Sequence, residues 1–217
     1  MQYLDALQAV GGLGKPSKMP WWSWSISATE CITGSKLAEV EGTVCSGCYA
    51  LKGNYRFDNV IAAQERRLAA ARDPGFVDAF VIVLKHLLKH QRRERRPGVP
   101  ENRFRWFDAG DLQDVEMLDK IVQIARATPE ISHWLPTREL PVVRAYLAGG
   151  GSFPPNLVVR TSSPKIGVAP KQRPFDLPVS TVSAPGARHD CPASQQGNKC
   201  LSCDACWSTR DINYHYH

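Results

Sequence analysis

The cysteines most constrain what this chain can become. Cys31, Cys45 and Cys48 lie near the start, Cys191, Cys200, Cys203 and Cys206 near the end, and none lies between. An odd total of seven cannot pair completely within one chain. Clustered cysteines outside an oxidising compartment point to metal or catalysis rather than to disulfides. Three thiolates in one group and four in the other is the arithmetic of two metal sites. A three-cysteine iron–sulfur cluster keeps one iron open for chemistry, whereas a four-cysteine site is coordinatively closed.

The stretch between the groups must build a core unaided. At 217 residues the chain suits one domain with a small appendage, and 43% apolar content suits a packed interior. Met1–Gly14 lacks a basic stretch followed by a long apolar run, so no signal peptide is expected. No run approaches the roughly 18 apolar residues of a membrane span. The expectation is a cytoplasmic protein with no membrane partner. A net charge of +6 leans weakly toward an anionic partner, DNA or a nucleotide.

Hydrophobic periodicity gives an alternating order. Trp22, Trp24 and Ile26 read as a strand, and the tryptophans Trp21, Trp22 and Trp24 as core packing. A glycine-containing loop then carries the first cysteines. Helices are expected from Asp58, as a cap, to about Arg72, and from Phe76 to about Arg95. Strands follow at Arg103–Asp108, Ile131–Leu135, Leu157–Thr161 and Val179–Ser183. Helices are expected at Val115–Ala127 and Thr137–Leu147. This alternation predicts an α/β fold, a partial (β/α) TIM-like barrel of five to six parallel strands. Residues 1–185 read as that barrel, and residues 186–217 as a cysteine-rich C-terminal cap that depends on metal for its shape.

The first group reads Cys31-x13-Cys45-x2-Cys48-Tyr49-Ala50, just after the first strand. Loops at the C-terminal ends of parallel strands hold active sites. Spacing alone leaves two readings open, a [4Fe–4S] cube on three thiolates or a structural zinc with a fourth ligand. The Ser46-Gly47-Cys48-Tyr49-Ala50 stretch resembles the cluster loop of the radical S-adenosylmethionine (SAM) superfamily. More narrowly, it is similar to small phage proteins of the gene product eighty-eight type, which look like divergent members. The superfamily spacing is Cys-x3-Cys-x2-Cys, and this chain stretches the first interval to thirteen residues, which makes Cys31 the exposed point of the resemblance.

The resemblance implies a cluster on Cys31, Cys45 and Cys48 whose open iron binds SAM. It implies reductive cleavage of SAM to a 5′-deoxyadenosyl radical that abstracts hydrogen from a substrate, with flavodoxin or ferredoxin as electron donor. It places SAM-binding roles at Gly110-Asp111, at Thr137 and Arg138, and at Thr161, Ser162 and Ser163. Ordinary alternatives stand beside these: Asp111 as a helix cap, with Asp114 better placed, and a polar turn for Thr161–Ser163. A modified nucleotide, or a hypermodified thymidine in phage DNA undergoing rearrangement or isomerisation, is the implied substrate, in the host cytoplasm.

The second group, Cys191-x8-Cys200-x2-Cys203-x2-Cys206, resembles a ferredoxin run more than the paired Cys-x2-Cys units of structural zinc. It reads as a second, auxiliary [4Fe–4S] cluster or a zinc, with His189 as a spare ligand. The basic run Lys89–Arg96 reads as a solvated helix end or, with Lys165, Lys171, Arg173 and Arg188, as a phosphate-contacting patch. His86 and His90, four residues apart, read as a solvated face rather than a metal pair. The alternative to an enzyme is a non-catalytic, zinc-stabilised nucleic-acid-binding protein.

Overall fold

The structure is a computed structural model that describes residues 1–19, 21–91, 102–184 and 189–216. Six strands form one sheet in the order β1 to β6: Ser23–Trp24, Arg103–Trp106, Ser132–Thr137, Leu157–Ile166, Val179–Val182 and Ile212–Tyr214. Every pairing is parallel, and β1 does not meet β6, so the sheet stays open. Sequential order means that each connection steps the same way. With crossovers of one hand, the helices then fall on one face. A doubly wound sheet reverses direction and covers both faces.

Alternation along the strands shows the two faces directly. Phe104, Trp106, Leu135, Leu157 and Val159 belong to the main core. They pack with α4 (Phe76–Gln91) and α5 (Val115–Ala127), whose buried residues include Phe80, Leu84, Leu118 and Ile121. The intervening residues Arg105, Trp134 and Arg160 face the other way, and there the C-terminal segment lies. Trp134 packs with Met19 and Trp207 in a separate cluster. The Trp207 indole donates to the Phe104 carbonyl at 3.0 Å. Arg160, fully buried, donates to the carbonyls of Val179 (3.1 Å), Arg210 (2.5 Å), Cys206 (3.4 Å) and Ser208 (2.7 Å). One guanidinium thus ties the tail to the sheet. The cysteine-rich residues lie along this face and also supply β6, whose three residues carry no strong sequence signal.

Differences from the sequence expectations have local causes. α3 runs Asp58–Ala71 with Phe57 as its cap residue, so Asp58 sits in the first turn instead. Pro141 stands in the first turn of α6 (Leu140–Ala148), where a missing N–H costs nothing, and the helix starts after Thr137, not at it. α4 ends at Gln91 within the described residues, and Arg92–Arg96 and Arg188 lie outside them. β1 is only two residues long, although Trp24 and Ile26 are fully buried as their alternation predicts. Two helices escaped the periodicity, α1 (Tyr3–Ala9) and α2 (Ile32–Ala38). No helix among the described residues is long and apolar enough to cross a membrane.

Candidate active site at the strand ends

β1 leads through Ser25-Ile26-Ser27 into a short turn and then Cys31, the N-terminal cap residue of α2. Cys31 therefore sits beyond the C-terminal edge of the sheet. The thirteen-residue interval that follows is α2 plus a return turn. That return is fastened to the far end of β4: Val44 N–H donates to the Pro164 carbonyl (2.9 Å) and Ile166 N–H to the Gly42 carbonyl (3.0 Å). Thr43 locks the turn, its hydroxyl donating to the Leu37 and Val40 carbonyls and accepting from Ser46 N–H. The chain comes back with Cys45 beside Cys31. Gly34, on α2, lies against both: a Cβ there would stand 2.8 Å from Cys31 Cβ, 3.4 Å from Cys31 Sγ and 3.8 Å from Cys45 Sγ. A side chain would fill the space between the sulfurs. The stretched interval is thus a looped-out helix that preserves the grouping.

Two acidic side chains and an arginine converge on the same place. Asp111, in the loop after β2, is buried and accepts from Thr137 Oγ1 (2.6 Å), Arg138 N–H (2.8 Å) and Leu112 N–H (2.8 Å). Burial pushes its carboxyl up to about 6 against the pull of these donors. Asp114 is the real cap of α5, accepting from Met117 N–H at 2.7 Å. Glu139, 2% exposed, accepts from Thr33 N–H and Thr33 Oγ1, each at 2.7 Å. It ties α2, and with it Cys31, to the end of β3. The Cys31 thiol is pushed up to about 12, first by burial and then by Asp111, Cys48, Cys45 and Glu139. Burial also raises Cys45, while Arg138 pulls it the other way. The Arg138 Nε–H is buried without a hydrogen-bond partner. Such a donor is rarely left orphaned.

Of the other residues named from the sequence, Gly110 earns its identity by packing. It has φ +75°, and a Cβ would lie 2.4 Å from Ile26 Cγ1. Thr137 and Thr161 are paired neighbours in the sheet, with Thr161 Oγ1 donating to the Pro178 carbonyl (3.4 Å). Ser162 and Ser163 do not follow the fourth strand as expected. β4 continues to Ile166 because Gly42–Val44 pairs with its end, so both serines lie within it. Ser162 accepts from Ser180 (3.0 Å), and Ser163 donates to the Val168 carbonyl (2.9 Å).

Sequence reading missed Glu139, Gly34 and an Asp108 network. Asp108 accepts from Ser23 Oγ (2.7 Å) and Tyr55 Oη (3.0 Å), and its carbonyl accepts from Tyr49, next to Cys48. A lone carboxylate or glycine has no periodic signature. Only the Cys-x2-Cys-Tyr sequence could have pointed to Tyr49.

The second thiol group has a different setting. Charge coupling links Cys191, Cys200, Cys203 and Cys206. Burial pushes Cys206 up to about 12, although the Tyr214 hydroxyl lies 3.3 Å from its sulfur. Cys200 N–H donates to the Lys18 carbonyl, and Cys191 N–H to the Asn213 carbonyl, both at 2.8 Å. His189 Nε2 is buried and unpartnered. Among the described residues no three His, Cys, Asp or Glu side chains stand close enough to share one metal ion. One tetrahedral zinc would draw its sulfurs to about 3.8 Å apart, so either group would have to close up around it.

The surface basic residues are partly committed. Arg173 pairs with Asp211 at 3.1 Å, and Lys165 pairs through its backbone with Thr43. The His86 ring stacks on both Tyr3 and His90.

A family model described as gene product 88 matches residues 5–209. No curated protein and no solved structure matches the chain.

Proposed function

This chain belongs to the gene product 88 family, and we propose that it is a radical SAM-like iron–sulfur enzyme built on a partial (β/α) barrel. One observation carries the reading. Three thiols, not four, are gathered at the C-terminal ends of parallel strands, with an unpartnered arginine donor beside them.

Thiolates are the donors that such a group takes. Cys31, Cys45 and Cys48 are the donor set, and Gly34 keeps clear the space a side chain would occupy. When bound, a three-cysteine cluster with SAM on its open iron supplies one-electron cleavage of SAM and, through it, hydrogen abstraction from an unactivated carbon. The protein's part is positioning. Glu139 holds α2, and hence Cys31, against β3. Asp111 joins the ends of β2 and β3, turning Arg138 N–H inward. The free Arg138 Nε–H offers a charged donor for a carboxylate, such as that of SAM. Both faces of Asp111 are already taken by protein donors, so its role is to hold Thr137 and Arg138 rather than to grip SAM alone. The four-cysteine group is proposed as an accessory [4Fe–4S] cluster or zinc, closed and without a substrate. A nucleotide or a thymidine in phage DNA remains the proposed substrate, with a flavodoxin or ferredoxin as donor.

Anaerobic reconstitution with iron and sulfide tests this. The expected result is a brown protein that cleaves SAM with dithionite, and a Cys48→Ala variant that does not. A colourless protein holding zinc, with no cleavage, would favour the non-catalytic nucleic-acid binder instead.

A further inference from the structure

A cleft of about 240 Å³ opens beside the three-thiol group, between the turn after β1, the segment following Cys48, and α3. A thin wall separates it from the thiols: Ala28, Ala50 and Ala109 pack there with Cys31, Cys48 and Tyr55. Its sides are apolar, formed by Ala50, Leu51, Ile61 and Leu68. The most buried polar residue in its lining is Gln64, 2% exposed. The Gln64 carboxamide makes no hydrogen bond to any described residue, and it lines the cleft.

The chemistry restricts the ligand. A carboxamide offers a donor and an acceptor side by side, which matches the donor–acceptor edge of a nucleobase. Apolar walls on either side suit a flat ring. The volume falls below the roughly 300–1,000 Å³ of sites for drug-sized ligands, so one ring system with a small substituent fits. At the rim Glu30 and Glu65 outnumber Arg56, which disfavours a phosphate. We infer that this cleft binds the base of an uncharged nucleoside, with Gln64 hydrogen-bonded to the base edge. The site needs no metal and stands apart from the cluster chemistry.

Isothermal titration of the whole chain with thymidine, cytidine, adenosine and guanosine, without iron or added SAM, tests the inference. At least one nucleoside should bind, and its 5′-monophosphate at least about tenfold more weakly. Gln64→Leu keeps the volume and should weaken that nucleoside about tenfold or more. Ile61→Trp, at a position 36% exposed, should block binding without touching the core. Absence of nucleoside binding, equal or tighter binding of the monophosphate, or binding unchanged in both variants would overturn it. Failure of SAM cleavage in reconstituted protein would leave these outcomes untouched, so the two readings fail separately.

Discussion

The two thiol groups are held at different places. The first hangs at the strand ends, on Glu139 to Thr33, Asp111 to Thr137, Thr43 to its own turn and the backbone seam of Gly42–Val44 against β4. Its arginine keeps a free donor. The second is laid along a sheet face and fastened by backbone, with Arg160 spending its guanidinium on four carbonyls and Trp207 wedged on Trp134. Both groups keep buried unpartnered polar atoms, Arg138 Nε at the first and Arg160 Nε and His189 Nε2 at the second, so the contrast lies in what holds each group in place.

The largest break in this contrast should come from Arg160→Leu. It strands one buried and three part-buried carbonyls, and the expected loss is about 3 kcal/mol. Denaturant unfolding should show that loss, and limited proteolysis should cut within residues 189–216 first. Equal protection of that segment would mean that the tail is held by something else.

Acid is the agent that should not discriminate between the groups. His133 belongs to β3 and is fully buried, its Nδ1 accepting from the Trp106 indole (3.3 Å) and its Nε2 bonded to Thr128 Oγ1 (2.9 Å). Burial lowers it from 6.5 to about 3. The unfolded chain therefore binds a proton that the folded one refuses. This contribution is complete above pH 6.5 and is lost as the pH falls toward 3, by about 1.4 kcal/mol per pH unit. Wild type should lose stability more steeply over this window than His133→Gln, as followed by thermal melts at stepped pH.

Glu139→Ala should sharpen the contrast from the other side. Two charge-assisted hydrogen bonds vanish, at a cost of about 1–3 kcal/mol. Iron bound by the first group should fall while metal at the second group stays. Quantifying iron in this variant against one lacking Cys200 separates the two.

The smallest effect on stability should come from Gly34→Ala. Alanine favours the helix by about 1 kcal/mol, yet its Cβ would press on Cys31. Unfolding should barely change while cluster loading drops.

Much of this was legible in the sequence because strands and helices announce themselves by period. Phe104 and Trp106, Leu157 and Val159 alternate as buried strands must, and the open parallel sheet follows from their order. β6 was not legible, since Ile212-Asn213-Tyr214 is too short to show a period and owes its place to pairing with β5. The first thiol group was legible as cysteines but not as a pocket. Glu139 reaches Thr33 across more than a hundred residues, and α2 brings Cys31 back to Cys45 only because Gly42–Val44 finds the end of β4. Gln64 carries no periodic signature, and only tertiary packing buries it.

If the first group leaves iron free to bind SAM, electron paramagnetic resonance of the anaerobically reconstituted, dithionite-reduced protein, recorded before and after SAM is added, should show it. A [4Fe–4S] signal whose g-values shift with SAM in wild type, and which is missing in Cys45→Ala, is the predicted result. A signal indifferent to SAM, or one that survives loss of Cys45 and disappears with Cys200, would contradict it.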